Sequence, residues 1–98
     1  MNQDQLNQIL KNHSLWLQDP TKGSRADLSS QDLSGLDLSF ANLVDANLEN
    51  ANLEGANLEN AILYNVNLYK ANLSWVNLKN ANLKYARLDD ANLKNANL

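Results

Sequence analysis

From Leu28 to Leu98, leucine occupies every fifth position without a miss. Two residues before it stands alanine in most repeats. Leu36, Val66 and Val76 keep that position apolar, and Gln31 is its one polar member. The residue between is Asp27, Asp32 or Asp37 in the first three repeats and asparagine thereafter, with Ile62 and Arg87 as exceptions. The unit is A-(N/D)-L-x-x, and a fixed internal period dictates architecture before any other feature does.

Five matches neither regular period. On an α-helix each step of five residues turns the leucine by about 140°, so the leucines spiral and form no apolar face. On a continuous strand five is odd, and successive leucines point to opposite sides. The asparagines also disfavour a helix. The pattern closes if each repeat is a short extended piece followed by a corner. Alanine and leucine, two apart, then share the inner face.

The corner residues agree. The second residue after each leucine is Gly35, Asp45, Asn50, Gly55, Asn60, Asn65, Asn80, Asp90 or Asn95 in most repeats. These types tolerate the positive φ that a type II turn requires at its third residue. Ser30, Phe40, Lys70, Trp75 and Tyr85 stand at the same place in the others. Positive φ is costly for Phe40, Trp75 and Tyr85, so those corners are expected to use a different turn.

Residues 26–98 resemble the pentapeptide-repeat family, whose consensus is A-(D/N)-L-x-x, through fifteen repeats in register. The resemblance implies an all-β repeat fold: a right-handed quadrilateral β-helix of just under four coils, with four repeats in each. Its structural core is then four leucine columns. Leu28, Leu48, Leu68 and Leu88 make one, and Leu33, Leu53, Leu73 and Leu93 the next. Leu38, Leu58, Leu78 and Leu98 make the third, and Leu43, Leu63 and Leu83 the fourth. Coils stacked at ~4.8 Å give a rod roughly 18 Å long.

Residues 1–25 form a separate unit. Leu6, Ile9 and Leu10 lie at helical spacing and Leu15, Trp16 and Leu17 follow. Asn2 or Asp4 supplies a cap, and Asp19-Pro20 with Gly23 stops the helix. Repeat arrays need capped ends. An N-terminal α-helical cap built on Leu6, Ile9, Leu10 and Trp16 is therefore expected over the first coil. Gln31 and Leu36, larger than the alanines elsewhere, are expected to face it. The other end stops at Leu98 with no breaker or helix after it.

The chain has no cysteine, so no disulfide framework, thiol nucleophile or cysteine zinc site. It has no apolar run of membrane-spanning length. The opening MNQDQLNQ lacks the features of a signal peptide, which leads us to expect a cytoplasmic protein. The only histidine is His13, and a lone histidine makes neither a triad nor a metal site. No glycine-rich phosphate loop is present. No catalytic, cofactor-binding or metal-binding residue is expected, and hence no enzyme.

Charge divides the repeats. Asp27, Asp32, Asp37, Asp45, Glu49, Glu54 and Glu59 face no cation up to Asn60. Beyond it, Lys70, Lys79, Lys84, Arg87 and Lys94 outnumber Asp89 and Asp90. Residues 20 apart are stacked neighbours, so Glu59 should pair with Lys79 and Lys70 with Asp90. Every aromatic of the repeats sits at an outward corner position: Phe40, Tyr64, Tyr69, Trp75 and Tyr85. Exposed aromatics often mark interaction sites.

Two functional classes remain. One is a non-catalytic structural or protein-interaction module, the N-terminal part of a longer stacked β-helix. Its interaction residues would be Tyr64, Tyr69, Trp75, Leu93 and Leu98, and its partner an unidentified protein or another pentapeptide-repeat segment docking at the C-terminal end. Direct nucleic-acid or membrane binding is not expected, and self-association should be weak or absent. The alternative is a DNA-mimic modulator of a type II topoisomerase, an activity the resemblance brings from longer family members. A rod spanning half of a ~34 Å duplex turn, with a basic C-terminal half, departs from that pattern.

Overall fold

In the computed structural model, which describes residues 1–98, helix α1 (Gln3–Gln18) precedes a stack of coils. Parallel bridges join each residue before a leucine to the one 20 positions on, from Asp27↔Asn47 to Asn77↔Asn97. Four repeats therefore complete one turn of the coil. The bridges are isolated because each side of the coil is only the A-N-L piece before the chain turns again.

One repeat shows how the backbone is satisfied. The Asn47 N–H donates back to Ala26 O at 3.0 Å, and Leu48 N–H donates forward to Asn67 O at 2.8 Å. Asn50 N–H reaches Tyr69 O at 2.8 Å, and Ala51 N–H closes the corner on Leu48 O at 3.0 Å. The remaining donor, Glu49 N–H, goes to the side chain of Asn47, at 3.1 Å to Oδ1. An unpaired peptide group away from water is costly, so this fifth bond accounts for the Asn/Asp preference. The same side chains also ladder between coils, as in Asn72 Nδ2 to Asn52 Oδ1 at 3.2 Å and Asn97 Nδ2 to Asn77 Oδ1 at 3.2 Å. Ile62 has no such acceptor for the Tyr64 N–H.

The corners correct one expectation. Phe40, Trp75 and Tyr85 do not use a different turn. They adopt φ of 61°, 60° and 62°, alongside Ser30 at 58° and Lys70 at 59°. The stacking lattice overrides the local preference. The N–H of the residue at positive φ must reach the next coil, as Phe40 does to Glu59 O at 2.9 Å and Trp75 to Lys94 O at 3.0 Å. Each non-glycine residue in this region costs about 1–2 kcal/mol. No corner carries a β-branched residue there, where the cost would be highest.

The leucine columns form the core. Every leucine of the register from Leu28 to Leu78 is buried, together with Ala46, Ala51, Ala56, Ala61, Val66, Ala71 and Val76. Full burial of a leucine contributes about 1.5–3 kcal/mol. Leu83, Leu88 and Leu93 are half-buried against this core. Leu98, expected in the core, is 76% exposed, because no coil among these residues stacks on it. Column membership alone does not bury a leucine; a neighbour on each side does.

Helix α1 lies over the first coil. Asn2 caps its start in a reciprocal box with Gln5, each side chain accepting from the other's backbone N–H. Leu6 is fully buried in the leucine core, and Met1, Ile9 and Leu10 pack against its edge. Trp16 is half-buried and stacks on His13, at 5.6 Å between ring centres, without entering the leucine cluster. Gln31 does not point inward as expected. A polar amide gains nothing from the leucine interior, and its side chain is exposed while Leu36 packs on the core. Gln3 replaces a missing coil. Its amide donates to Asp37 O at 2.8 Å and accepts from Asp37 N–H at 2.9 Å, as a peptide group would.

Candidate interaction surfaces

The first surface is the final coil. The N–H groups of Leu83, Leu88 and Leu93 point along the stack in the sense in which Leu63, Leu68 and Leu73 donate to the coil above them. They have no backbone acceptor. Half-bare Leu83, Leu88 and Leu93 and exposed Leu98 stand inside this rim. It is an apolar floor edged by unpaired strand groups, which is how an open sheet edge accepts another strand. Leu93 and Leu98 therefore belong to one surface.

The second surface spans two successive corners of the rod and the side between them. Tyr64 and Tyr85 meet edge to face at 5.3 Å across adjacent coils. The Arg87 guanidinium lies 4.3 Å over the Tyr69 ring, and Lys70 Nζ lies 5.2 Å from the same ring. Lys84 Nζ sits 5.3 Å from the ring of Tyr85. The two departures from Asn/Asp flank the Tyr64–Tyr85 corner. Ile62, 39% exposed, lies on the face leading to Tyr64, and Arg87 lies between Tyr85 and Tyr69. Arg87 reverses the usual role of its position. Rather than accepting an N–H, its Nε donates to the Asp89 carboxylate at 3.2 Å. The 20-residue period of the coil leaves the tyrosines single along the sequence. Tyr64 and Tyr85 are 21 apart, on the two successive positions of one corner. Trp75, 66% exposed, is on a different corner and does not join them.

The vertical ion pairs do not form. Glu59 Oε2 instead accepts from Asn77 Nδ2 at 3.2 Å, and Lys70 turns to Tyr69. Arg87–Asp89 is the single ion pair, between exposed partners. The asparagine ladder sits nearer the glutamate than the outward-pointing lysine does, and an exposed pair offers only about 0–1 kcal/mol to hold two long side chains together.

Near the cap the acidic side chains serve the corners. Asp27 and Asp32 accept from the hydroxyls of Ser29 and Ser34 at 2.6 and 2.7 Å, Asp37 is faced by the Ser39 side chain, and all three accept from the backbone N–H of the same serines. The serine side chains, then the N–H groups, hold these carboxyls below the usual carboxylate range. No three His, Cys, Asp or Glu side chains come together as a metal cluster would need. No helix is long and apolar enough to cross a membrane.

The profile of the pentapeptide-repeat family matches this chain in eight copies, over residues 24–60, 41–80 and 71–98. Among solved structures, a pentapeptide repeat protein from the Arabidopsis thaliana thylakoid lumen superposes with a TM-score of 0.73 at 36% identity, over 76% of this chain and 52% of its own. Rfr23, a pentapeptide repeat protein of the cyanobacterium Cyanothece 51142, gives a TM-score of 0.57 at 41% identity, over 74% and 54%. The chain thus spans about half the length of these structures. A comparison with curated proteins finds no match. Proteins of this kind form right-handed quadrilateral β-helices and are in general non-catalytic.

Proposed function

Because the chain belongs to the pentapeptide-repeat family, we propose that it is a protein-interaction scaffold of just under four coils whose final coil receives a further pentapeptide coil. That coil comes from a longer chain or from a partner protein. The observation that carries this reading is the pairing rule of the stack. Each coil donates through its leucine N–H groups to the next, and the groups of Leu83, Leu88 and Leu93 are left to donate to a coil not among these residues. The half-bare leucines beside them supply the apolar contact. Tyr64, Tyr69, Tyr85 and Arg87 add a lateral surface rich in the residue types that dominate protein interfaces.

The test extends the stack in register. A variant carrying a second copy of residues 79–98 after Leu98 should unfold at higher denaturant and bury Leu83, Leu88, Leu93 and Leu98. A second variant, with one extra residue inserted between Leu98 and the copy, loses the register and should lose the gain. Equal stability of the two extended chains, or no gain in either, overturns the reading.

A further inference from the structure

His13 is the one polar side chain of helix α1 that is fully buried, at 0% exposure. Its ring lies between two strands of the first coil. Nδ1 accepts from the Ala26 N–H at 2.9 Å, and Nε2 stands 2.8 Å from Val44 O. A carbonyl can only accept and a peptide N–H can only donate. The two partners together fix the ring as the neutral tautomer with its proton on Nε2.

The imidazole fills two slots of the repeat lattice. In every repeat the N–H of the alanine position donates to the carbonyl three residues earlier, as Gln31 does to Leu28 O and Ala41 does to Leu38 O. For Ala26 that carbonyl would be Gly23 O, and Nδ1 stands in for it. From the second coil on, the carbonyl after each leucine accepts from the residue 19 positions earlier, as Glu49 O does from Ser30 N–H. For Val44 O that donor would be Arg25 N–H, and Nε2–H stands in for it. One side chain thus joins the helix to both the first and the fourth side of the first coil.

We propose that His13 is a proton-sensitive latch, which holds the cap helix on the first coil only while its imidazole is neutral. Protonation puts a second N–H on Nδ1, facing the Ala26 N–H at 2.9 Å. Two donors then oppose each other in a buried site, and the bond that closes the cap is lost. The new charge has no solvent. Of the charged groups around it, Asp45, beside Val44, favours the imidazolium, and Arg25, on the segment entering the repeats, opposes it. Burial is the largest influence and lowers the imidazole pKa below its ordinary value; the Val44 bond and Asp45 offset this only in part. Release would free the Gln3–Asp37 pairing as well, since both bonds leave from the same helix, and would bare the leading edge of the first coil.

The direction with pH follows. Above the ordinary histidine pKa of about 6.5 the ring is neutral in the closed and open states alike, and the latch is whole. As pH falls below that value the open state takes up the proton first, so closure weakens until the lowered pKa of the closed state is passed. Asp19, Asp27, Asp32 and Asp37 are held below the ordinary carboxylate value, far from the pH of about 6.5 at which the weakening begins.

The experiment is amide hydrogen exchange by NMR, corrected for intrinsic rates, with the His13 ring resonance followed in the same samples. His13 is the only histidine, so its signal is unambiguous. Protection at Ala26 and Asp37 should fall by up to about tenfold per pH unit below about pH 6.5, while Leu58 stays protected. In His13→Gln, whose amide both donates and accepts but does not titrate, protection at Ala26 should be flat over the same range. A wild-type Ala26 protection that is independent of pH overturns the latch, as does a Gln variant that tracks the wild type. Should the Gln variant not fold, the wild type decides alone. A ring that titrates at its ordinary value without loss of Ala26 protection contradicts the proposal.

Discussion

Leu28 and Leu88 belong to one column and to the same five-residue unit, yet their environments are opposites. Leu28 lies under helix α1 and is fully buried. Leu88 has no coil beyond it and is half-exposed. Between the two ends nothing changes in the spacing of the chain. What changes is whether a neighbour covers the leucine and the open backbone groups beside it from the far side. At the N-terminal end Leu6, Gln3 and His13 do so with side chains in place of a coil. The repeat specifies a layer, and the core exists only between layers. This is the nearest-neighbour behaviour expected of a stacked array.

The sharpest way to break the comparison is to remove the same side chain from a sandwiched and an unsandwiched layer. Leu58→Ala should cost about 2–5 kcal/mol, as buried leucine deletions do. Leu98→Ala, at an exposed position of the same column, should cost a small fraction of that. Chemical denaturation measures both, and equal losses would mean that stacking does not set burial.

A second contrast separates the two kinds of glycine. A Cβ at Gly23 would strike the backbone of Asn12 and Trp16, where the chain leaves the helix. Gly23→Ala should therefore cost about 1–3 kcal/mol by forcing backbone apart. At Gly55 nothing lies within 4 Å, but φ is +69°. There the same change should cost only about 1–2 kcal/mol, from the left-handed backbone. The first variant should also loosen the cap in hydrogen exchange, and the second should not.

The asparagines offer a smaller effect. Asn72→Ala removes the acceptor of the Ser74 N–H at 3.0 Å, and Ser74 is buried. Its cost should be about 1–2 kcal/mol. Ile62→Asn restores an acceptor for Tyr64 and should be neutral to stabilising. A loss from Ile62→Asn as large as that from Asn72→Ala would show that the Asx bond is not what the position selects.

The pH dependence at the capped end is smaller still. Asp27, Asp32 and Asp37 have carboxyls held low by the serine hydroxyls. Their contribution is complete above the unfolded carboxylate pKa of about 3.9 and is lost as pH falls through the lowered folded values. Ser29, Ser34 and Ser39 changed together to alanine should flatten the acid limb of the stability curve. An unchanged limb would show that the hydroxyl bonds have no net effect.

Much of this architecture is legible in the sequence for one physical reason. A five-residue period admits a single way of keeping leucines on one side, and Leu28 to Leu98 hold that period without exception. The helix signals of residues 1–25 are equally local, and Asn2 caps as its residue type suggests. What sequence reading missed is collective. Phe40 and Trp75 take positive φ as their N–H groups reach the next coil, a demand that no local propensity carries, and Tyr85 keeps the same corner. Glu59 turned to an asparagine of the ladder rather than to Lys79, since side-chain reach is decided in three dimensions. The Tyr64–Tyr85 contact falls one residue off the period used to search for neighbours. A lone histidine makes no catalytic or metal site, and the role of His13 depends on two backbone groups distant in the chain.

The central claim is that layers protect one another, and residue-resolved native-state hydrogen exchange at neutral pH tests it most directly. The leucine N–H groups of the middle coils, Leu48 to Leu63, should be the slowest in the molecule. Ala26 and Asp37, held by side chains of the cap, should be protected as well. Leu83, Leu88 and Leu93 should exchange at close to the rate of an open chain. Protection that runs undiminished through Leu93 in the monomeric protein would contradict the account.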